Sequence, residues 1–215
     1  MSVQIHPIDY DNFTVLDPVI DDMEELGLWL MYEMRQCEQL AFRRSFEFLR
    51  KLCRDYGNSS AVKEQVTRLR NRTNLLLYYT ADEPDGSEDP VSTLVSTTAY
   101  INTLDPYRPS SLILNCQDYF FTNYSEGAPI LMQDTYPIGI NATYSTVYNT
   151  SCTREVGDCG CDNCRGGYED IRDRMDDFTM RLEVLGRERS KTVWTVPQAF
   201  GSSSCVQTRY IRPPL

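Results

Sequence analysis

Two acidic residues stand out by what surrounds them. Glu83 lies in Ala81-Asp82-Glu83-Pro84-Asp85-Gly86, directly after the apolar run Asn74 to Thr80. A proline there stops a strand and stiffens the turn, which fixes where the preceding carboxyl points. Apolar and aromatic neighbours such as Tyr78 and Tyr79 would raise the pKa of that carboxyl, which suits a general acid near neutral pH. Asp134 follows another apolar run, in Gln133-Asp134-Thr135-Tyr136-Pro137. Hydrolysis of a glycosidic bond usually takes two carboxyl groups, one on each side of the bond. Asp134 is the natural partner of Glu83, with Asp82, Asp85 and Asp118 as competitors. Both stretches are also good turn chemistry, a solvated loop around Glu83 and an Asx-turn at Asp134. Residue type alone leaves those readings open.

Other reactive residues point to less. Glu33 and Arg35 close the run Leu26 to Met34. Arg35 can hold a carboxylate or a substrate hydroxyl, or simply pair with Glu33. Trp29 and Trp194 read as core residues rather than sugar platforms. His6 is the single histidine, so a Ser-His-Asp or Cys-His mechanism would have to use a residue near the start of the chain. Cys152, Cys159, Cys161 and Cys164 could offer four thiolates to zinc. Their Cys-x-Cys-x-x-Cys spacing is not a pair of separated knuckles, and disulfides are the preferred reading. No metal and no cofactor is expected.

The elements that must position these groups alternate in type. Five short apolar runs, Leu26–Met34, Asn74–Thr80, Ser111–Cys116, Pro129–Met132 and Thr192–Val196, each end in polar, Gly or Pro residues. Near-continuous apolarity marks parallel strands covered on both faces. Amphipathic segments lie between them: 17–26, 38–56, 61–70, 89–103 and 168–186. In the last, Ile171, Met175, Phe178, Leu182 and Leu185 share one face and Gly186 supplies a stop. Strands alternating with helices predict an α/β fold with a parallel sheet whose five strands are neighbours in chain order. The polar residues cluster just past strand C-termini, the face that carries the site in a parallel barrel and also in open α/β sheets. The stretch 138–167 has no element pattern, and loops of that length are usually functional or stapled.

Composition narrows the partners. The net charge of −10 disfavours nucleic acid, and a neutral substrate fits better. No stretch approaches the roughly 20 apolar residues of a membrane span. Fourteen tyrosines offer faces for sugar rings, though tyrosine is also a common core and rim residue. Eight cysteines and six Asn-x-Ser/Thr patterns, at Asn12, Asn58, Asn71, Asn123, Asn141 and Asn149, favour a secreted protein. The first residues carry no signal-peptide pattern. Nothing in the sequence sets an oligomeric state.

Several motifs resemble those of a known group. Tyr79-Thr80-Ala81-Asp82-Glu83-Pro84-Asp85-Gly86, Leu104-Asp105-Pro106-Tyr107-Arg108-Pro109 and Asp134-Thr135-Tyr136-Pro137 are similar to stretches in fungal proteins of the glycoside hydrolase (β/α)-barrel superfamily. Gly160-Cys161-Asp162-Asn163-Cys164 and Val196-Pro197-Gln198-Ala199-Phe200-Gly201 extend the likeness. It runs from about Val3 to Gly201. In the broader clan A of retaining glycosidases, the acid/base glutamate follows the fourth strand and precedes a proline. If Leu26–Met34 is the third strand, the resemblance gives that role to Glu83. The clan's nucleophile is a glutamate after the seventh strand, where this chain has Gln198. An amide cannot serve, so Asp134, after the sixth strand, is the substitute. Arg35, Asp82, Asp118, Tyr136 and Gln198 are the expected substrate-binding residues.

The expected architecture is therefore an incomplete (β/α)8 TIM-type barrel over residues 1–201, with about strands three to seven and part of a second at Val3–His6. An irregular tail follows at 202–215. A full barrel takes about 250 residues, so both ends are expected to be incomplete, which would also account for the missing leader. The expected function is hydrolysis of a glycan by a carboxylate pair. The alternative is a carbohydrate-binding or structural barrel that has lost activity, for which Gln198 argues.

Overall fold

The structure, a computed structural model, describes residues 2–5, 13–34, 59–85, 89–114, 120–135, 144–145, 150–151 and 169–197. In chain order the elements are β1 (Ser2–Ile5), α1 (Phe13–Glu25), β2 (Trp29–Glu33), α2 (Ser59–Leu69), β3 (Leu75–Asp82), α3 (Val91–Leu104) and β4 (Ser110–Leu114). They continue with α4 (Phe121–Tyr124), β5 (Ile130–Thr135), β6 (Tyr144–Ser145), β7 (Thr150–Ser151), α5 (Glu169–Val184) and β8 (Thr192–Pro197). Six strands form one sheet in the order β1-β2-β3-β4-β5-β8, and β6 pairs with β7 in a separate antiparallel ribbon. The five strands expected from the apolar runs are thus neighbours in the expected order.

Pairing is parallel from β1 to β2 and from β2 to β3. The link to β4 runs the same way: Tyr78 N–H donates to Pro109 O at 3.1 Å, and further along Glu83 N–H donates to Ile113 O at 3.0 Å. Every residue of β4 is buried, which explains why Leu112, Ile113 and Leu114 form an unbroken apolar run rather than an alternation.

The described residues divide into two compact units. The first comprises Met1–Asp82, Glu88–Leu112 and Asn123–Ile130. Its core joins Leu16, Ile20 and Met23 of α1 and Val62, Val66 and Leu69 of α2 to Leu30, Tyr32, Leu75 and Tyr78 of β2 and β3, with Met34 and Ile101. An irregularity between Leu30 and Met31 sets the register: Leu30 faces Leu75, but Met31 faces Leu77. That bulge resets the alternation along β3. Tyr78, like Leu75, lies in the helix-packed core, and Tyr79 turns to the opposite face beside its register partner Glu33. The second unit comprises Glu83–Ser87, Ile113–Thr122 and Leu131–Leu215. In it Phe178 of α5 meets Phe121 edge to face, 5.1 Å between centroids, and Arg181 lies 5.6 Å over the Phe121 ring. The helix ends where the sequence placed its stop. Gly186 adopts φ +64°, its N–H donates to Glu183 O, and Arg187 N–H donates to Leu182 O at 2.8 Å, the pattern of a Schellman cap.

Several boundaries and placements differ from expectation. The first run does not begin at Leu26. Gly27 and Leu28 N–H groups close α1 by donating to Glu24 and Met23 carbonyls, which leaves Leu26 72% exposed and delays the strand to Trp29. Trp29 is not a core residue; it opens β2 at 46% exposure, and Trp194 is only half-buried. Asn74 stands before β3, and its amide donates to Ile20 and Leu28 carbonyls at 3.5 and 3.3 Å. The fourth run extends three residues further than its apolar part, so Asp134 lies inside β5 instead of past its end. The stretch 138–167 contains the β6–β7 ribbon, two strands too short for a sequence pattern to reveal. The expected helix at 38–56 and all eight cysteines lie outside the described residues.

Candidate functional site

Glu83 is the first residue after β3, and its backbone adopts φ +42°. A non-glycine residue in that left-handed region carries strain of order 1–3 kcal/mol and persists only where the surroundings impose it. Its hydrogen bond to Ile113 O on β4 and the following Pro84 supply that constraint. The turn is not the solvated loop that its Asp-Glu-Pro-Asp-Gly composition allows: Pro84 and Asp85 are buried, Asp85 at 1% exposure, and Glu83 is half-buried. The carboxyl-bearing residue is therefore presented by a fixed backbone rather than a mobile one.

In the same unit, β5 carries Leu131, Met132 and Gln133, all buried, followed by Asp134. Gln133 is fully buried, a polar residue inside the strand that the sequence reading did not single out. Asp134 takes its place on the strand; its side chain is outside the described residues. In the sheet order β4 separates β3 from β5.

The first unit has its own polar group at the ends of β2 and β3. The Tyr79 hydroxyl donates to Asp82 Oδ1, while the Tyr79 ring is fully buried. Glu33, its register partner across the pair, is 1% exposed. Asp82 is half-buried. A phenol that donates to a carboxylate orients it. Tyr79 is the residue sequence reasoning missed here. Residues three apart on a strand ordinarily point to opposite faces, so the sequence carries no signal for this contact. Tyr78, expected near the acid, instead donates its hydroxyl to Asp105.

Among the expected binding residues, Arg35, Asp118, Tyr136 and Gln198 lie outside the described residues, and so does the Glu33–Arg35 pair. Among the described residues, no group of three or more His, Cys, Asp or Glu side chains could hold a metal ion, and no helix is long and apolar enough to cross a membrane.

No family model and no curated protein matches the chain. Solved structures do. Over 89% of this chain the fold is similar to that of a GH2 β-galacturonidase from Eisenbergiella tayi bound to galacturonate, with a TM-score of 0.51 at 14% identity and 28% of that protein covered. Over 98% of the chain it is similar to a β-glucuronidase from Ruminococcus gnavus, with a TM-score of 0.52 at 11% identity and 31% of that protein covered. The chain thus spans less than a third of the length of either enzyme. At these identities the likeness is one of fold: an α/β segment arranged as in glycoside hydrolases.

Proposed function

We propose that this protein is a glycosidase-type (β/α)-barrel segment, and that it hydrolyses a glycosidic bond in a neutral glycan. The observation that carries the reading is the left-handed backbone of Glu83, pinned to β4 at the C-terminal end of a parallel strand. Strain of that kind concentrates at functional sites, and strand C-termini are where barrel sites form. Glu83 acts as general acid on the leaving glycosidic oxygen. Asp134 acts from the other side, on water or on the sugar. Inverting enzymes hold their carboxyl groups roughly 6.5–9.5 Å apart and retaining ones about 5–5.5 Å. Strands two steps apart favour the wider spacing, so inversion is the proposed outcome. Arg35, Asp82, Asp118, Tyr136 and Gln198 bind the sugar. The net charge of −10 favours a neutral glycan over an acidic one. Secretion and a fungal source belong to the same proposal; they rest on the cysteines, the glycosylation patterns and the motif resemblance.

Sugar release from a panel of neutral oligosaccharides, followed by proton NMR of the first-formed anomer, tests this. Release with inverted configuration is expected. Binding by calorimetry without release would favour the alternative, a carbohydrate-binding barrel, for which Gln198 in place of a nucleophile argues. Neither binding nor release on any glycan would overturn both.

A further inference from the structure

We infer that Asn71 is an N-glycan attachment site. Asn71-Arg72-Thr73 is one of six Asn-x-Ser/Thr patterns, and the described residues include the asparagines of two, Asn71 and Asn123. The two differ in a way that the sequence does not show. Asn71 lies in the turn between α2 and β3, and both Asn71 and Thr73 are exposed. Asn123 is also exposed, but Ser125, which completes its pattern, is fully buried and Tyr124 between them is 4% exposed. In the folded protein the first pattern is open to solvent and the second is not, so a glycan at Asn71 is compatible with the fold.

The Asn71 turn is also held in place. Arg72 forms ion pairs with Asp21 and, at 3.5 Å, with Asp17 on α1, and the Thr73 hydroxyl donates to Glu24. Arg72 N–H donates to Leu69 O at 2.8 Å. Asn71 is thus presented to solvent by a turn whose neighbours are tied down, and no core side chain has to move to accept a bulky substituent. A glycan there stands at the N-terminal end of β3. The strand's eight residues place Asp82 roughly 23 Å away at about 3.3 Å per residue, so the sugar does not crowd that end.

The step is a transfer from a lipid-diphosphate-linked oligosaccharide in the lumen of a secretory compartment. The Asn71 amide nitrogen forms a bond to the anomeric carbon and loses a proton, and the bond to the lipid diphosphate breaks as that group leaves. The inference rests on the secretion proposed above and not on the hydrolase reading.

The test expresses the whole chain behind a secretory leader in a eukaryotic host and maps peptides from both the exported and the luminal pools. Treatment with peptide N-glycosidase in heavy-oxygen water marks each occupied asparagine as a labelled aspartate. The Asn71 peptide is expected to be occupied in most molecules, at higher occupancy than Asn123. Asn71→Gln should remove one glycan's mass and leave the circular dichroism spectrum unchanged; Thr73→Val, which keeps the asparagine, should do the same to the mass. An unmodified Asn71 in both pools overturns the inference. So does an unmodified Asn71 in the protein isolated from the cells that naturally make it.

Discussion

The Tyr78 hydroxyl donates to Asp105 Oδ2 at 2.9 Å, which ties the middle of β3 to the residue that ends α3. Arg108 Nη1 donates to the same oxygen at 3.0 Å, and Tyr107 N–H donates to the other at 3.2 Å. The Arg108 guanidinium then donates to the carbonyls of Leu75, Arg70 and Arg72. One carboxylate thereby orients an arginine that satisfies two carbonyls of the α2–β3 loop and the first carbonyl of β3.

That network makes stability depend on acid. Burial alone would raise the Asp105 pKa, but hydrogen bonds from Tyr78, Arg108 and the Tyr107 N–H, with the Arg108 charge, outweigh it and hold the carboxyl below its ordinary range. A carboxyl whose folded pKa is depressed adds stability above its unfolded value of about 3.9 and loses it as pH falls through the folded pKa. Asp105→Asn should therefore lower stability at neutral pH and flatten the decline below about pH 4. Tyr78→Phe should cost about 1–3 kcal/mol, because it strips a buried acceptor of a partner. Denaturant midpoints measured across the acid range decide it. An Asp105→Asn protein that declines as steeply as wild type would count against the assignment.

Gly127→Ala should destabilise the first unit by about 1–3 kcal/mol through overpacking. A Cβ at residue 127 would lie 2.7 Å from Leu112 Cδ2, 3.1 Å from Tyr124 O and 3.4 Å from Leu94 Cβ. Leu112 and Leu94 are fully buried, and the Tyr124 hydroxyl is fixed on Asp89 O at 2.6 Å, so little can yield. A melting temperature equal to that of wild type would show that the packing relaxes.

The sequence was most legible where burial was complete. Leu112, Ile113 and Leu114 leave no choice but a covered strand, and β4 falls there. Gly186 and the stripe through Phe178 and Leu182 fixed the end and the buried face of α5. Misreadings arose where hydrogen bonding overrode hydropathy. Leu26 is apolar, yet the turn that closes α1 leaves it in solvent. Gln133 and Asp134 are polar, yet the β5 ladder continues through them. The candidate site was legible as residues and not as geometry. Asp-Glu-Pro reads as a turn, but nothing in the residue types reveals the left-handed φ of Glu83. The bulge that puts Tyr78 on the same face as Leu75 is a register effect, invisible without the partner strand.

For the cysteine-rich stretch, non-reducing peptide mapping of secreted protein should find at least one disulfide among Cys152, Cys159, Cys161 and Cys164. Metal analysis should find no stoichiometric zinc. The expectation rests on the company these cysteines keep, six glycosylation patterns and four further cysteines, which favours an oxidising compartment. Four free thiols with one zinc per chain would reverse it.

Glu83 is expected to separate stability from activity. Glu83→Gly removes both the carboxyl and the left-handed strain. Relief of strain is worth about 1–3 kcal/mol, and the extra freedom of glycine in the unfolded chain costs about 0.5–1 kcal/mol. The variant should be as stable as wild type or up to about 2 kcal/mol more so. Glu83→Gln keeps the shape and the strain and removes only the proton. On a natural glycan with a poor leaving group, both variants should lose about 10²–10⁴-fold in turnover, the usual contribution of a positioned acid. A substrate with an activated leaving group needs little protonation, so the loss with Glu83→Gln should shrink there. Asp134→Asn, which removes the group acting from the other side, should lose turnover on both substrates alike. Full activity in Glu83→Gln and Asp134→Asn on a natural glycan would remove both residues from the reaction. A Glu83→Gly protein that unfolds more than about 1 kcal/mol more easily would mean that the Glu83 side chain supports the fold and that the strain argument for its role fails.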